Sequence, residues 1–157
     1  MSEPQTSSAA RVGTDDELLA HVRAFWDRQR PTSPLYSLLI PDVTITFARP
    51  GRVLARMRVA PQQTNSRGTL HGTTSACLVD WGGGIAIASH GVERTGVTTD
   101  LHVSCLAPAR EGDLLEIECV AEKVGRTMAY TTVTLRKIVE GSESLIVSSG
   151  RHTKYIC

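Results

Sequence analysis

The sequence predicts an α+β domain in which a long antiparallel β-sheet wraps around one central apolar helix, with an amphipathic helix ahead of it. Three observations carry that expectation. A capped amphipathic segment begins at Thr14, a nearly uniform apolar run fills residues 70–89, and most of the segments around that run alternate with a period of two. A sheet with one apolar face and a helix apolar on most sides cover one another economically. The 157 residues are enough for one domain, assigned to 14–157. Residues 1–13, rich in Ser, Ala, Thr and Pro, read as a flexible arm.

Thr14-Asp15-Asp16-Glu17 has capping-box spacing, so a helix should start there. Leu18, Val22, Phe25 and Trp26 recur on one helical face, Arg28 and Arg30 suit the last turn, and Pro31 ends the run. A linker follows that carries Leu35, Tyr36, Leu38, Leu39 and Ile40; its conformation is not readable from the pattern. Residues 43–48 and 52–60 alternate around Arg49-Pro50-Gly51 and read as a hairpin. The run 70–89 contains a single charge, Asp80, and its length favours a buried helix. Gly82-Gly83-Gly84 is unusual inside a helix, and close approach of a sheet or partner backbone is preferred over a break. The rest is strand-like. Val97, Thr99, Leu101, Val103 and Cys105 share one parity, Leu115, Ile117, Cys119 and Ala121 another, and residues 128–138 and 143–155 are rich in Thr, Val, Ile and Tyr.

Seventeen Lys and Arg against sixteen Asp and Glu leave a formal net charge of +1, which removes the case for a dedicated nucleic-acid or membrane-surface binder. An anionic partner must meet a local patch. The four cysteines, Cys77, Cys105, Cys119 and Cys157, show no C-x-x-C and no zinc-type spacing, so free thiols in a reducing compartment are expected and no metal. The uncharged runs 68–79 and 81–92 are each too short to span a bilayer. The cytoplasm is the expected compartment, with the mitochondrion as the alternative.

The chemistry gathers in residues 65–80. A polar loop delivers His71-Gly72 to the first turn of the buried helix, where amides lack intrahelical partners and the dipole is positive. That is a place for developing negative oxygen, and Gly72 has no side chain to block a carbonyl. Asp80 lies mid-helix among apolar neighbours, where an unpaired carboxylate is expensive, so it needs either an ordinary structural partner or a job. Eight residues of helix separate Gly72 from Asp80, about 12 Å. A reacting atom must come within about 3.5 Å of its catalyst. If both groups act on one carbonyl, Gly72 of one subunit must face Asp80 of another across a two-fold axis.

Four blocks, residues 65–80, 96–100, 108–113 and 150–154, resemble in order and spacing the hotdog-fold acyl-coenzyme A thioesterases, in particular the type 13 branch of the phenylacetate-pathway-like group. The resemblance covers roughly residues 43–155. It implies a hydrolase in which Asp80 is nucleophile or general base, Gly72 polarises the thioester carbonyl, Asn65 and His71 order the loop, and Thr98 positions water. It places coenzyme A, as part of the substrate and not as a cofactor, on Cys105, Pro108, Arg110, Lys123 and His152, with Arg126, Arg151 and Lys154 nearby. It also implies a homodimer as the catalytic unit and a homotetramer as the assembly. Thr73 stands where the family often has a second Gly, which bears on pocket width. Leu35 to Ile40, Tyr36 and Trp81 are candidates to line a long-chain tunnel or an aromatic pocket. A non-catalytic acyl-CoA sensor on the same fold, and a dehydratase acting on hydroxyacyl thioesters, are the competing readings.

Overall fold

Thr14 opens the first helix as its sequence requires. Its hydroxyl accepts from Glu17 N–H and the Glu17 carboxylate accepts from Thr14 N–H in return. The computed structural model describes residues 14–156; the arm at 1–13 and Cys157 lie outside the described residues. Helix α1 (Asp15–Gln29) buries Leu18, Val22, Phe25 and Trp26. Arg23 donates twice to the Ile45 carbonyl and Trp26 Nε1 donates to the Val43 carbonyl at 3.1 Å, which fixes α1 over the first strand. After a single 3₁₀ turn (Arg30–Thr32), Ser33 Oγ accepts from Tyr36 N–H and caps the short helix α2 (Pro34–Leu39). The linker whose conformation the pattern left open is therefore helical. Tyr36 and Leu39 turn toward the core, while Leu35 and Leu38 are exposed.

The hairpin forms from β1 (Thr44–Arg49) and β2 (Arg52–Arg58), with Gly51 supplying the positive φ of the turn. Strands β3 (Val97–Cys105), β4 (Leu114–Val124), β5 (Met128–Lys137) and β6 (Leu145–Tyr155) complete one six-stranded sheet of order β1-β2-β4-β5-β6-β3, every neighbour antiparallel. Helix α3 (Gly72–Ala88) lies across its inner face, packed on β4 and β5 and on the β6–β3 side. This is the wrapped-helix architecture that the sequence predicts.

The three glycines do not break α3; they let it lie close to the sheet. A Cβ on Gly82 would stand 2.8 Å from Cys119 Sγ and 2.9 Å from Val133, and one on Gly83 would collide with the His152 ring and Thr131 Oγ1. The close approach is to side chains of the sheet.

Strand β3 departs from simple alternation. Its register against β6 shifts between Thr98 and Asp100, so Thr98 pairs with Lys154 while Leu101 pairs with His152. Directly opposed residues share a face. The bulge therefore brings Thr98 onto the inner face with Leu101 and Val103, whereas strict alternation would have put Thr99 there. Strand β3 is also a sheet edge, and Val97, Thr98, Thr99, Asp100, Leu101 and His102 are exposed. No helix among the described residues is long and apolar enough to cross a membrane.

Candidate active site

The loop before α3 is built by Asn65. Its Oδ1 accepts from Arg67 N–H and Thr69 N–H, its Nδ2 donates to Thr69 Oγ1, and its own backbone N–H donates to the Thr69 carbonyl at 2.8 Å. Thr69 in turn bridges to Arg110, tying this loop to the one before β4. His71 is the N-cap of α3: Nδ1 accepts from Thr73 N–H at 3.0 Å and its carbonyl accepts from Ser75 N–H. No described group accepts from Gly72 N–H, so capping leaves the first amide of the helix available. That amide opens into a groove of about 440 Å³ whose lining includes Asn65, Gly72, Cys105, Leu106 and Pro108. Among the described residues, Cys105 Sγ is the side-chain atom that a Cβ built on Gly72 would meet, at 3.8 Å. The groove is open, with one exposed thiol beside it.

Two turns further along α3, Asp80 projects toward β3, β6 and α2, its side chain about one third exposed. Tyr36 donates to Oδ2 at 2.6 Å and Thr98 donates to Oδ1 at 3.0 Å. The Thr98 oxygen lies 2.9 Å from His152 Nε2, and Nε2 is 3.5 Å from Asp80 Oδ1. The Thr98 hydroxyl therefore lies within hydrogen-bond reach of both the carboxylate and the imidazole. His152 Nδ1 is buried against the backbone of α3 beside Gly83, facing the Val79 and Asp80 backbone.

The surroundings hold these groups in defined protonation states. Burial, and then the Lys154 charge, pull the His152 pKa below its usual value against the opposing pull of Asp80. Lys154 is buried on the same face and is also lowered by desolvation, with Asp80 opposing. Desolvation and the Asp80 hydrogen bond push the Tyr36 phenol far above the ordinary tyrosine range. Cys77, one turn before Asp80, is pushed up to about 12 by burial and by that carboxylate, so it is an inert packing thiol.

The structure thus sorts the sequence candidates into two groups. Asn65, His71, Gly72, Cys105 and Pro108 meet at the helix N-terminus, with Arg110 in the adjoining loop. Asp80, Thr98 and His152 meet at mid-helix. His152 is fully buried in the second group, away from Cys105 and Pro108. Lys123 joins neither: it is near the far end of β4 from Arg110 and pairs with Tyr130 on the outer face. Two residues that sequence reasoning gave no role at the carboxylate, Tyr36 and Lys154, adjoin Asp80. Tyr36 was hidden by the unreadable linker. Lys154 carried a signal, since a lysine one parity step from His152 falls on the inner face of an alternating strand.

A long antiparallel sheet wound on an apolar helix, with a free helix-terminal amide at one end and a hydroxyl-bound aspartate in the middle, defines a hotdog-fold protein with the makings of an acyl-transfer site. The profile of the thioesterase superfamily matches residues 67–142. Human acyl-coenzyme A thioesterase 13 is 32% identical over 121 residues, 77% of this chain and 84% of the human protein. The crystal structure of zebrafish thioesterase superfamily member 2 superposes with a TM-score of 0.75 at 32% identity, covering 92% of this chain and 99% of that one. Mouse thioesterase superfamily member 2 gives 0.70 at 28% identity over 91% and 97% of the two chains. The chain belongs to the thioesterase superfamily.

Proposed function

We propose that the protein hydrolyses acyl-coenzyme A thioesters to the free acid and coenzyme A, at two equivalent sites of a homodimer. One observation carries the reading. A solvent-accessible carboxylate held by two hydroxyl donors, and an unoccupied helix-terminal amide, stand on one helix about 12 Å apart, too far to serve one carbonyl from a single chain. The relatives named as acyl-coenzyme A thioesterases support the substrate class.

Strand β3 supports the dimer. Thr98, near its start, touches Asp80, and Cys105, at its end, adjoins Gly72. Its free edge offers unpaired backbone donors and acceptors. Antiparallel pairing of β3 with its copy, centred on His102 and with the bulge taking up one residue, sets Thr98 opposite the partner's Cys105. The Asp80 cluster of one subunit then faces the Gly72 groove of the other.

In that arrangement the Gly72 amide, at the positive end of α3, receives the thioester oxygen and stabilises the oxyanion as it forms. Asp80 takes the proton of a water, or attacks directly, while the Thr98 hydroxyl orders the nucleophile. A thiolate leaves readily, so this inventory suffices. Arg110, Cys105 and Pro108 are proposed for the coenzyme A end of the groove, and Lys123 of a different subunit for its phosphates, since within one chain Lys123 lies remote. Buried His152 is assigned to the Thr98 hydroxyl. Pairing of dimers into a tetramer and residence in a reducing compartment such as the cytoplasm belong to the same proposal.

The test is a panel of acyl-CoAs, from acetyl to long-chain and aromatic, with free thiol as the readout. The wild type should turn over at least one member, and Asp80→Ala should lose about 10²-fold or more in kcat. Equal turnover by both would remove Asp80 from the mechanism; tight binding without thiol release would make the protein a sensor.

A further inference from the structure

We infer that Tyr36 is a positioning residue for Asp80: its phenol anchors Oδ2 from the α2 side, leaving Oδ1 to the Thr98 hydroxyl and fixing the carboxylate plane in which the base or nucleophile acts. The inference rests on the proposed thioesterase reaction.

Helix α2 is six residues long and has no fully buried residue, yet it is held at both ends. Ser33 Oγ caps it, Ser37 Oγ donates to the Arg30 carbonyl, and Gln63 Nε2, itself buried, donates to the Leu39 carbonyl at 2.6 Å. The Tyr36 ring packs edge-on against Trp26 with centroids 5.8 Å apart, and Trp26 packs likewise on Trp81 at 5.4 Å, so the ring is located by an aromatic row that reaches back into α3. All of this delivers one hydroxyl to one oxygen, at a distance typical of a strong, charge-assisted hydrogen bond. A packing role alone would be met by phenylalanine. Burial and the adjacent carboxylate keep the phenol protonated, so it donates throughout the working pH range.

The groups facing Asp80 are Tyr36 from α2, Cys77 on its own helix, the uncharged Thr98 from β3, and His152 and Lys154 from β6. Tyr36→Phe removes only the first of these as a donor and keeps the ring. A donor to a carboxylate favours its ionised form. Losing it makes Asp80 easier to protonate.

Two measurements test this. The acid limb of the kcat/KM pH profile in Tyr36→Phe should move upward by about one pH unit relative to wild type, with KM little changed. The carboxyl titration of Asp80, followed by ¹³C NMR with Asp80→Asn for assignment, should move upward by a similar amount. An unchanged titration overturns the inference. If the wild type releases no thiol from any acyl-CoA, the proposed reaction fails, and the NMR titration still decides whether Tyr36 sets the state of the carboxylate. Should Tyr36→Phe not fold, fluorotyrosine at all three tyrosines gives a stronger donor, and the titration should move downward; no movement overturns the inference.

Discussion

The Asp80 carboxyl group is accommodated on an otherwise apolar helix because hydroxyls from two separate elements come to it. The same packing sets the chemistry of His152, which is fully buried and has a depressed pKa, chiefly through desolvation. The unfolded imidazole takes a proton at about pH 6.5, whereas the folded one resists until the pH is lower. Stability from His152 is therefore fully present above about pH 6.5 and is lost as the pH falls through the folded value. At pH 7.5, His152→Gln should be the less stable protein, since it gives up the contact to Thr98. On acidification from 7.5 to 5.5 the wild type should lose stability faster, by up to about 1.4 kcal/mol per pH unit, and the gap in melting temperature should close. A constant gap across that range would mean that folding leaves the proton affinity of His152 unchanged, and a widening gap that His152 carries a proton in the folded protein. At this scale the sequence was uneven. Asp80 and Gly72 were legible because a lone charge in an apolar run and a glycine after a helix cap are local signals. Tyr36 was not, because its partner lies 44 residues away and its own backbone gave no period.

Among the elements, α3 shows most directly how residue choice fixes position. Its glycines are the thin places against the sheet, and they are not equivalent. Gly84→Ala would place a Cβ 3.4 Å from Thr95 Oγ1 and 3.8 Å from Lys154 Nζ, the far end of a flexible chain. It should be close to neutral, because alanine returns up to about 1 kcal/mol of helix propensity. Gly82→Ala meets Cys119 and Val133, both wholly buried, and should cost about 1–3 kcal/mol through overpacking. Gly83→Ala meets the His152 ring and should be the most costly of the three, with loss of activity beyond its loss of stability because His152 must move. Chemical denaturation of the three variants checks that order, and a flat series would mean that α3 stands off the sheet. Element type and approximate extent were readable from period and caps: the capping box, the hairpin turn and the length of the apolar run each have a local cause. The β3 bulge was not, because it is set by pairing with β6. Alternation along β3 alone groups Thr99, not Thr98, with Leu101 and Val103.

On the scale of the whole molecule, the proposal that two chains share each site rests on reach, an argument the sequence alone supplies: about 12 Å of helix cannot be shortened. What the sequence did not contain is the way both proposed half-sites hang from one edge strand, Thr98 near its start and Cys105 at its end, so that pairing of a single strand with its copy would complete two sites at once. This yields a decisive experiment. Asp80→Asn disables the proposed base, and Gly72→Pro deletes the amide proposed to hold the oxyanion. Proline is tolerated at the first helical position, and His71 already has the extended conformation that a residue before proline prefers, with φ −70° and ψ 139°. Each variant alone should be inactive. Refolded together in equal amounts, about half of the dimers are mixed. In each mixed dimer one site draws its wild-type Gly72 from one chain and its wild-type Asp80 from the other, while the second site receives both lesions. The mixture should recover about a quarter of wild-type activity. If Gly72 and Asp80 of the same chain worked together, no site in any mixed dimer would be intact and the mixture would stay inactive, so the recovered rate reads directly whether the active site is divided between subunits.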